Sequence, residues 1–423
     1  MTLIVLNRFF HPDYSATSQM ASGIAFGLAA GGQRVVIITS RLRYDDARAR
    51  LPARDIVNGV EIVRVPTSRF GRGGMAARAI DYLTFYGSAS WTLWRLARKG
   101  DIVVVKTDPP MLSVVAGLAI RLRGAVLVNW LQDLFPEVAT DLGLARGPIG
   151  RAALRLLRGL RNRSLRRARV NVVIGERMAE RLHAIGLAPE SIRIIPNWAD
   201  GALLAPVPHA ANPAREAAWA RGDAFVVGYS GNLGRAHDYQ TMLDAMTLIS
   251  ERRAHAGEAP TIAWVFVGGG AHYETLRREI AARRIAAAHF EPYRPPDQLA
   301  ASLSAIDVHL VSLHPTLEGL VVPSKTYGIA AVGRPILFIG DPDGEIARFI
   351  DRNRCGVTIM PGDAAALARI ITDLSRDRER CAEMGRNARA AFESGFDKPV
   401  ALAAWQRLVA ELVDRPIETG RDG

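Results

Sequence analysis

The stretch Leu317-Glu318-Gly319-Leu320-Val321-Val322-Pro323-Ser324-Lys325-Thr326-Tyr327-Gly328-Ile329-Ala330-Ala331-Val332-Gly333-Arg334-Pro335 runs from an acidic turn through an apolar pair into a short helical segment. That segment, Lys325 to Val332, stops at Gly333. One apolar strand leads in, Asp307 to Leu313, and another leads out, Pro335 to Ile339. Strand, crossing helix and strand in that order is the unit of a parallel sheet. A Ser or Pro at a helix start leaves backbone N–H groups free to meet an anion. Lys325 adds a point charge in the first turn. An acid for hydroxyls, beside donors and a cation for phosphate, suits a nucleotide sugar. An ordinary helix start with a solvated lysine reads equally well from these residues alone.

The 423 residues exceed what one domain usually holds, so two domains are expected. A hydrophobic content of 49% fills two cores, and 23% charged residues argues against long disorder. The net charge is +12, almost all of it arginine; Lys99, Lys106, Lys325 and Lys398 are the lysines. Cys355 and Cys381 form no disulfide framework and no metal-like pair, which fits a reducing, cytoplasmic setting. Met1 to Leu6 is too short for the apolar core of a signal peptide. The longest clean apolar run, Met111 to Ile120, falls below the roughly 18 residues that span a bilayer.

In the first half, Leu3 to Leu6 reads as a strand, Ser18 to Ala30 as a helix capped by Ser18, and Val35 to Thr39 as the next strand. The loop between, Asn7 to Thr17, has no glycine fingerprint for a dinucleotide. Its His11 and Asp13 are candidates to face an acceptor sugar, and a plain polar loop is the other reading. Val60 to Val65 is a strand, followed by the basic loop Arg69 to Gly74 and a helix rich in Tyr82, Phe85, Tyr86, Trp91 and Trp94. Such a helix either packs on the sheet or lies in a membrane interface. Ile102 to Val105 leads into Lys106-Thr107-Asp108-Pro109-Pro110. Ala125 to Leu131 leads into Gln132-Asp133-Leu134-Phe135-Pro136-Glu137. Asp108, Gln132 and Asp133 therefore stand at strand carboxyl ends, where open α/β sheets bind ligands. Asp133 could orient or deprotonate an acceptor hydroxyl, or cap the following helix. Arg146 to Arg169 alternates arginines with leucines, Arg151, Arg155 and Arg158 on one face. That pattern suits an anionic membrane surface or a solvated helix; no nucleic-acid recognition module accompanies it.

The Ala/Pro-rich stretch Ala202 to Pro213 marks the domain boundary. The second half opens as the first did, with strand Phe225 to Tyr229 and the loop Ser230-Gly231-Asn232-Leu233-Gly234-Arg235. Ile262 to Val267 ends in Gly268-Gly269-Gly270, and a short strand ends in Phe290-Glu291-Pro292-Tyr293-Arg294. Glycines there let backbone amides approach an anion. These strand-end loops and the stretch around Lys325 converge on one side of one sheet.

These residues resemble the GT-B glycosyltransferases, and their details resemble the bacterial retaining enzymes of family four that build surface polysaccharides. The specific pieces are Thr107-Asp108-Pro109-Pro110, Gln132 to Glu137, Tyr229 to Gly234, Pro323-Ser324-Lys325 and Gly333-Arg334-Pro335. The resemblance implies an α/β fold of two Rossmann-like domains facing a central cleft. Residues 1–198 would bind the acceptor and 199–390 the nucleotide sugar, with 391–423 ending in a helix that crosses back to the first domain. It implies transfer of a sugar from a nucleotide diphosphate to a glycan or polyprenyl-linked acceptor, retention of anomeric configuration, no metal and no cofactor. A cytoplasmic protein at the inner face of the membrane, on an anionic surface and without nucleic acid, completes the expectation.

The chain departs from the family pattern of two glutamates with seven residues between them. Glu318 matches the first, which typically meets the donor sugar; counted back from Gly333, the second falls at Gly328. The family's arginine and lysine on the glycine loop fall at Asn232 and His237, and its first-domain histidine at Gln132. On this reading Lys325, Glu318 and Asp133 are the catalytic candidates. Gly231, Asn232, Gly234, Arg235, Gly268, Tyr293, Arg294, Gly319, Leu320 and Ser324 would bind the donor. His11, Asp13, Asp108 and Gln132 would bind the acceptor. A nucleotide-sugar epimerase and a non-catalytic nucleotide-sugar-binding protein of the same fold are the alternatives.

Overall fold

A computed structural model describes residues 1–414 apart from 45, 47–48, 71–73, 142, 144–146, 221 and 257–260. The middle of the basic loop expected at 69–74, the first arginine of the 146–169 segment and the last residues of the 391–423 segment lie outside the described residues. The chain divides into two units, Met1–Pro196 with Ala401–Gly423, and Asn197–Val400.

The first unit holds an eight-stranded sheet: β1 Leu3–Leu6, β2 Val35–Ser40, β3 Arg54–Val57, β4 Val60–Val65, β5 Ile102–Lys106, β6 Val126–Trp130, β7 Val170–Val173 and β8 Ile192–Ile194. Their spatial order is β3-β4-β2-β1-β5-β6-β7-β8. Every pairing is parallel except β3 with β4. Strands such as Leu3–Leu6 and Val35–Ser40 are buried throughout, as expected of strands covered on both faces. The antiparallel β3 was not anticipated, yet its signal was legible. Asn58 and Gly59 both take positive φ, 49° and 78°, in the two-residue turn that Asn-Gly favours. Helix Ala16–Ala30 begins earlier than expected; Ser15, not Ser18, is its cap and accepts from the Ser18 amide.

Helix Met75–Leu96 packs one stripe, Phe85, Ala89 and Leu93, into the sheet's core, each wholly buried. Trp91 and Trp94 on its other side are exposed and stacked at 5.1 Å. The packing reading of that helix therefore holds for its inner face, and its outer face presents an exposed aromatic pair. The helix Lys398–Asp414 contributes Trp405, buried against Trp130 with ring centroids 4.7 Å apart. Gly27 leaves room for Leu402, whose Cδ2 would stand 2.6 Å from a Cβ there.

The second unit holds β9 Phe225–Asn232, β10 Ile262–Gly269, β11 Ala288–Glu291, β12 Val308–Ser312, β13 Ile336–Ile339 and β14 Gly356–Ile359. All are parallel, in the order β11-β10-β9-β12-β13-β14. Helix Arg378–Gly395 stays with this unit, so the unit ends at Val400 and not at 390. The reason is a close approach: a Cβ on Gly385 would meet the Gly333 carbonyl oxygen at 2.3 Å.

Truncating Trp405 to Ala removes a fully buried indole, and the first unit should lose about 3–5 kcal/mol. Urea unfolding followed by tryptophan fluorescence checks this; an unchanged midpoint would mean the helix does not hold the unit together.

Candidate functional site

The second unit builds its site from glycines outward. The loop expected over Ser230 to Arg235 begins as strand: β9 runs to Asn232 and pairs with β10 through Gly231↔Gly268 and Asn232↔Gly269. Side chains cannot be accommodated at this approach. Gly268 has φ 134°, and a Cβ on it would stand 2.4 Å from the Gly231 carbonyl oxygen. Gly270 has φ 130°, and its Cβ would meet Asn232 Oδ1 and the Leu233 carbonyl oxygen at 2.5 Å. Left-handed backbone and backbone contact together demand glycine. The Leu233 amide donates to Gly269, and the Tyr229 hydroxyl donates to the Asn232 carbonyl.

On this floor lies Lys325. Its Nζ is buried, has no hydrogen-bond partner among the described residues and sits 3.7 Å from the centroid of the Tyr229 ring. Its Cε would stand 3.5 Å from a Cβ on Gly231. Burial pulls the amine down to about 7, because nothing replaces the water that solvates the charged form. Ser324 precedes it with helical φ and ψ, −62° and −19°, is exposed, and makes no capping hydrogen bond. The expected serine cap of helix Lys325–Ala331 is thus absent, and the lysine dominates the helix start.

The neighbouring candidates fall into two groups. His237, in the position of a family cation, turns its ring edge to Tyr229 and places Nδ1 2.6 Å from the Ser312 carbonyl oxygen. Burial and then the charge of Lys325 lower it to about 4, so it is neutral at pH 7. Asn232 and Arg235 are exposed. Tyr293 lies over the strand-end glycines, Cε1 3.2 Å from a Cβ on Gly268, and Arg294 pairs with Glu291 at 3.1 Å. A Cβ on Gly234 would stand 3.0 Å from Asn232 Nδ2.

Glu318 is buried, 4% exposed, and accepts the Glu345 amide at 2.8 Å and the Gly319 amide at 3.2 Å. It caps helix Glu345–Asn353 from a distance, taking the place of a side chain that Gly344 lacks. Burial raises its pKa while those two amides hold it down. The amides expected to hold sugar hydroxyls are engaged within the chain: Gly319 on Glu318, Leu320 on the Leu317 carbonyl. At Gly328 a Cβ would point to Leu204 and Leu303 at 3.5 and 3.7 Å, an apolar setting.

In the first unit the loops after β1, β5 and β6 meet, as the order β1-β5-β6 requires. Asp108 accepts from the Thr17 hydroxyl at 3.2 Å, and Thr107 accepts from the Gln132 amide at 3.3 Å. Gln132 keeps a buried Nε2 without a hydrogen-bond partner, and Asp133 a buried Oδ1. Burial raises Asp108, and it raises Asp133 to about 6 against a hydrogen bond from Thr107. Asp13 does other work. Its Oδ1 takes the Ser15 amide at 2.9 Å and its Oδ2 the Tyr44 amide at 2.6 Å, which staples two loops. His11 packs edge-on to Phe26, and its carbonyl accepts from Arg64. Burial, then Arg64, lowers its pKa.

Lys106 was overlooked in the sequence. It is 1% exposed, with Nζ 3.6 Å from the Trp130 ring centroid and no hydrogen-bond partner. Its signal is a lysine kept at a strand end in a chain whose basic residues are almost all arginine.

Two family models cover most of the chain: "Glycosyl transferase 4-like domain" over residues 16–198 and "Glycosyl transferases group 1" over 213–391. The chain is 29% identical over 317 residues to "Probable glycosyltransferase WbjE" of Pseudomonas aeruginosa, covering 75% of this chain and 76% of that protein. Its fold matches Anabaena Alr3699/HepE solved in complex with UDP-glucose, at a TM-score of 0.69 and 16% identity over 97% of this chain and 100% of that one. It also matches WaaG, a glycosyltransferase involved in lipopolysaccharide biosynthesis, at 0.69 and 15% over 95% and 98%.

Replacing Lys325 with Met should stabilise the second unit. The native amine titrates near 7 and the unfolded one near 10.5, so burying the charge costs stability in full below about 7. That cost fades as pH rises from 7 to 10.5. Urea midpoints of both proteins across that range should converge at the alkaline end; a constant gap would show that the amine is not desolvated.

Proposed function

The chain is a glycosyltransferase of the GT-B fold, a 4-like domain followed by a group 1 domain, and from that premise we propose that it is a retaining, metal-independent transferase of cell-surface glycan biosynthesis. It moves a hexosyl or N-acetylhexosaminyl group from a nucleoside diphosphate sugar to a glycan or polyprenyl-linked acceptor. The observation that supports this most is the unpartnered Lys325 amine beside the glycine floor.

The donor diphosphate lies along Gly231 and Gly234, and its charge draws a proton onto Lys325. As the glycosidic C–O bond breaks, negative charge grows on the leaving diphosphate, where a preorganised cation in a dry site acts most strongly. Lys325 takes this role because His237 is neutral and Asn232 carries no charge. Arg235 is the second cation within the loop. Tyr293 and Arg294 flank the base, and Ser324 lies at the phosphate end. Glu318 shapes the sugar pocket by pinning the Glu345 helix beside Gly319 and Leu320. Asp133, with Asp108 and Gln132, orients the acceptor hydroxyl. Its proton passes to the leaving phosphate on the same face, so the configuration is kept without a protein nucleophile.

The protein works at the cytoplasmic face of the membrane on this reading. Among the described residues no helix is long and apolar enough to cross a bilayer. Helix Gly147–Arg167 instead exposes Ile149 and Leu156 along with Arg151 and Arg155, a combination that suits an anionic interface. Arg158 does not belong to that free face, since it pairs with Glu137 at 3.2 Å.

Lys325→Ala should lower turnover of the nucleotide sugar about 10²-fold or more, read as slow hydrolysis in the absence of acceptor. Full turnover by the folded variant would remove Lys325 from the chemistry; no hydrolysis by the parent protein would favour a binding protein. Separately, Arg151→Glu with Arg155→Glu should abolish co-sedimentation with phosphatidylserine-containing vesicles, and undiminished sedimentation would sink the membrane reading.

A further inference from the structure

The first unit contains a second lysine in the same predicament as Lys325. Lys106 ends β5 with its amine buried, and among the described residues it makes no hydrogen bond or ion pair. The Trp130 ring offsets only part of the cost of desolvating an ammonium. A cleft opens beside it, lined by Lys106, Thr107, Ser113, Asn129, Asp133 and Arg161 among others. Four of these hold a buried polar atom without a hydrogen-bond partner: Lys106 Nζ, Arg161 Nη1, Asn129 Oδ1 and Asp133 Oδ1. Four such atoms around one cleft mark a place for water or a ligand to complete.

The donors point to the sign of that ligand. Lys106 becomes a cation when an anion draws a proton onto its amine, and Arg161 is one already, although Glu137 engages it at 2.6 Å. Helix Leu112–Leu122 starts at the cleft with Met111 and Leu112 in its lining; its first amides are turned to the carbonyls of Pro109 and Met111, so the helix end adds only its dipole. The two acceptor atoms, on Asn129 and Asp133, call for hydroxyl donors next to the anionic group. Asp108 and Asp133 are the acids that face Lys106 electrostatically.

We propose, resting on the reading of the first unit as the acceptor side, that this cleft binds a small oxyanion carried by the acceptor sugar, a carboxylate or a phosphate beside its hydroxyls, and that Lys106 recognises it. The transferase would then prefer an acidic acceptor, either a uronic acid residue or a sugar phosphate. Lys106 determines specificity here; the reacting atoms remain with the groups already described.

The chain's four lysines make a direct test practical. Protein labelled with ¹³C at lysine Cε gives one signal per lysine, assigned by Lys106→Met and Lys325→Met. Lys99 is exposed and Lys398 pairs with Asp200, so both serve as internal references. The protein is titrated above pH 7, where the Lys106 amine is mostly neutral, with glucuronate, inorganic phosphate and glucose. Glucuronate or phosphate should move the Lys106 signal toward its ammonium position, and glucose should not. A response to glucuronate alone assigns a uronate, and one to phosphate alone a phosphorylated acceptor. The thermal shift produced by the active anion should shrink in Lys106→Met, for phosphate to the part owed to Lys325, whose signal phosphate still moves. A Lys106 signal that stays still with both anions, or a thermal shift of unchanged size in Lys106→Met, overturns the proposal and leaves the cleft to structural water. Because nothing here is read from turnover, this result stands apart from the fate of the transferase reading.

Discussion

An ammonium group that loses its water and gains no partner raises the free energy of the folded state, and the second unit is arranged around one. Lys325 can lie over Tyr229 only because the ends of β9 and β10 come together backbone to backbone at Gly231 and Gly268. Any Cβ at Gly268 would strike a carbonyl oxygen and push the floor apart. The glycines thus do more than make room for a ligand; they create the dry pocket in which an amine is held near neutrality. Such a group changes its charge when an anion arrives, so binding and charge neutralisation become one event.

The carboxylates show the opposite tactic. Glu318 and Asp13 are buried, and both are met by backbone amides. They spend their hydrogen-bonding capacity on holding a helix start and a loop pair. Asp133 and Asp108 keep more of theirs in reserve, and burial raises both. The division separates acids that build the site from acids that remain able to meet a substrate, a distinction that residue type alone does not make.

Much of the fold was legible. The runs of β1, β2 and β5 are apolar nearly throughout, as strands covered on both faces must be, and β9 and β10 run into glycines where backbones approach. The β3–β4 hairpin was missed although Asn58-Gly59 announces it, because its outer strand alternates weakly and leaves Ile56 exposed. Lys106 was missed because a lysine after four apolar residues reads as the solvated end of a strand. Arg161 was counted as surface charge on a basic helix, yet Glu137 draws it inward.

The sequence by itself determined the order of strands and helices, the glycine-built strand ends and the family to which these motifs belong. Those features depend on neighbours within a few residues, through backbone sterics and the period of apolar side chains. Only the tertiary structure decided which polar atoms were satisfied. Glu318 meets its amide partner 27 residues away, Lys106 meets Trp130 across two strands, and Lys325 meets Tyr229 from the far side of the unit's sequence. Desolvation depends on everything packed around an atom, so the charge state of a lysine is a property of the folded chain and cannot be read from its place in the sequence.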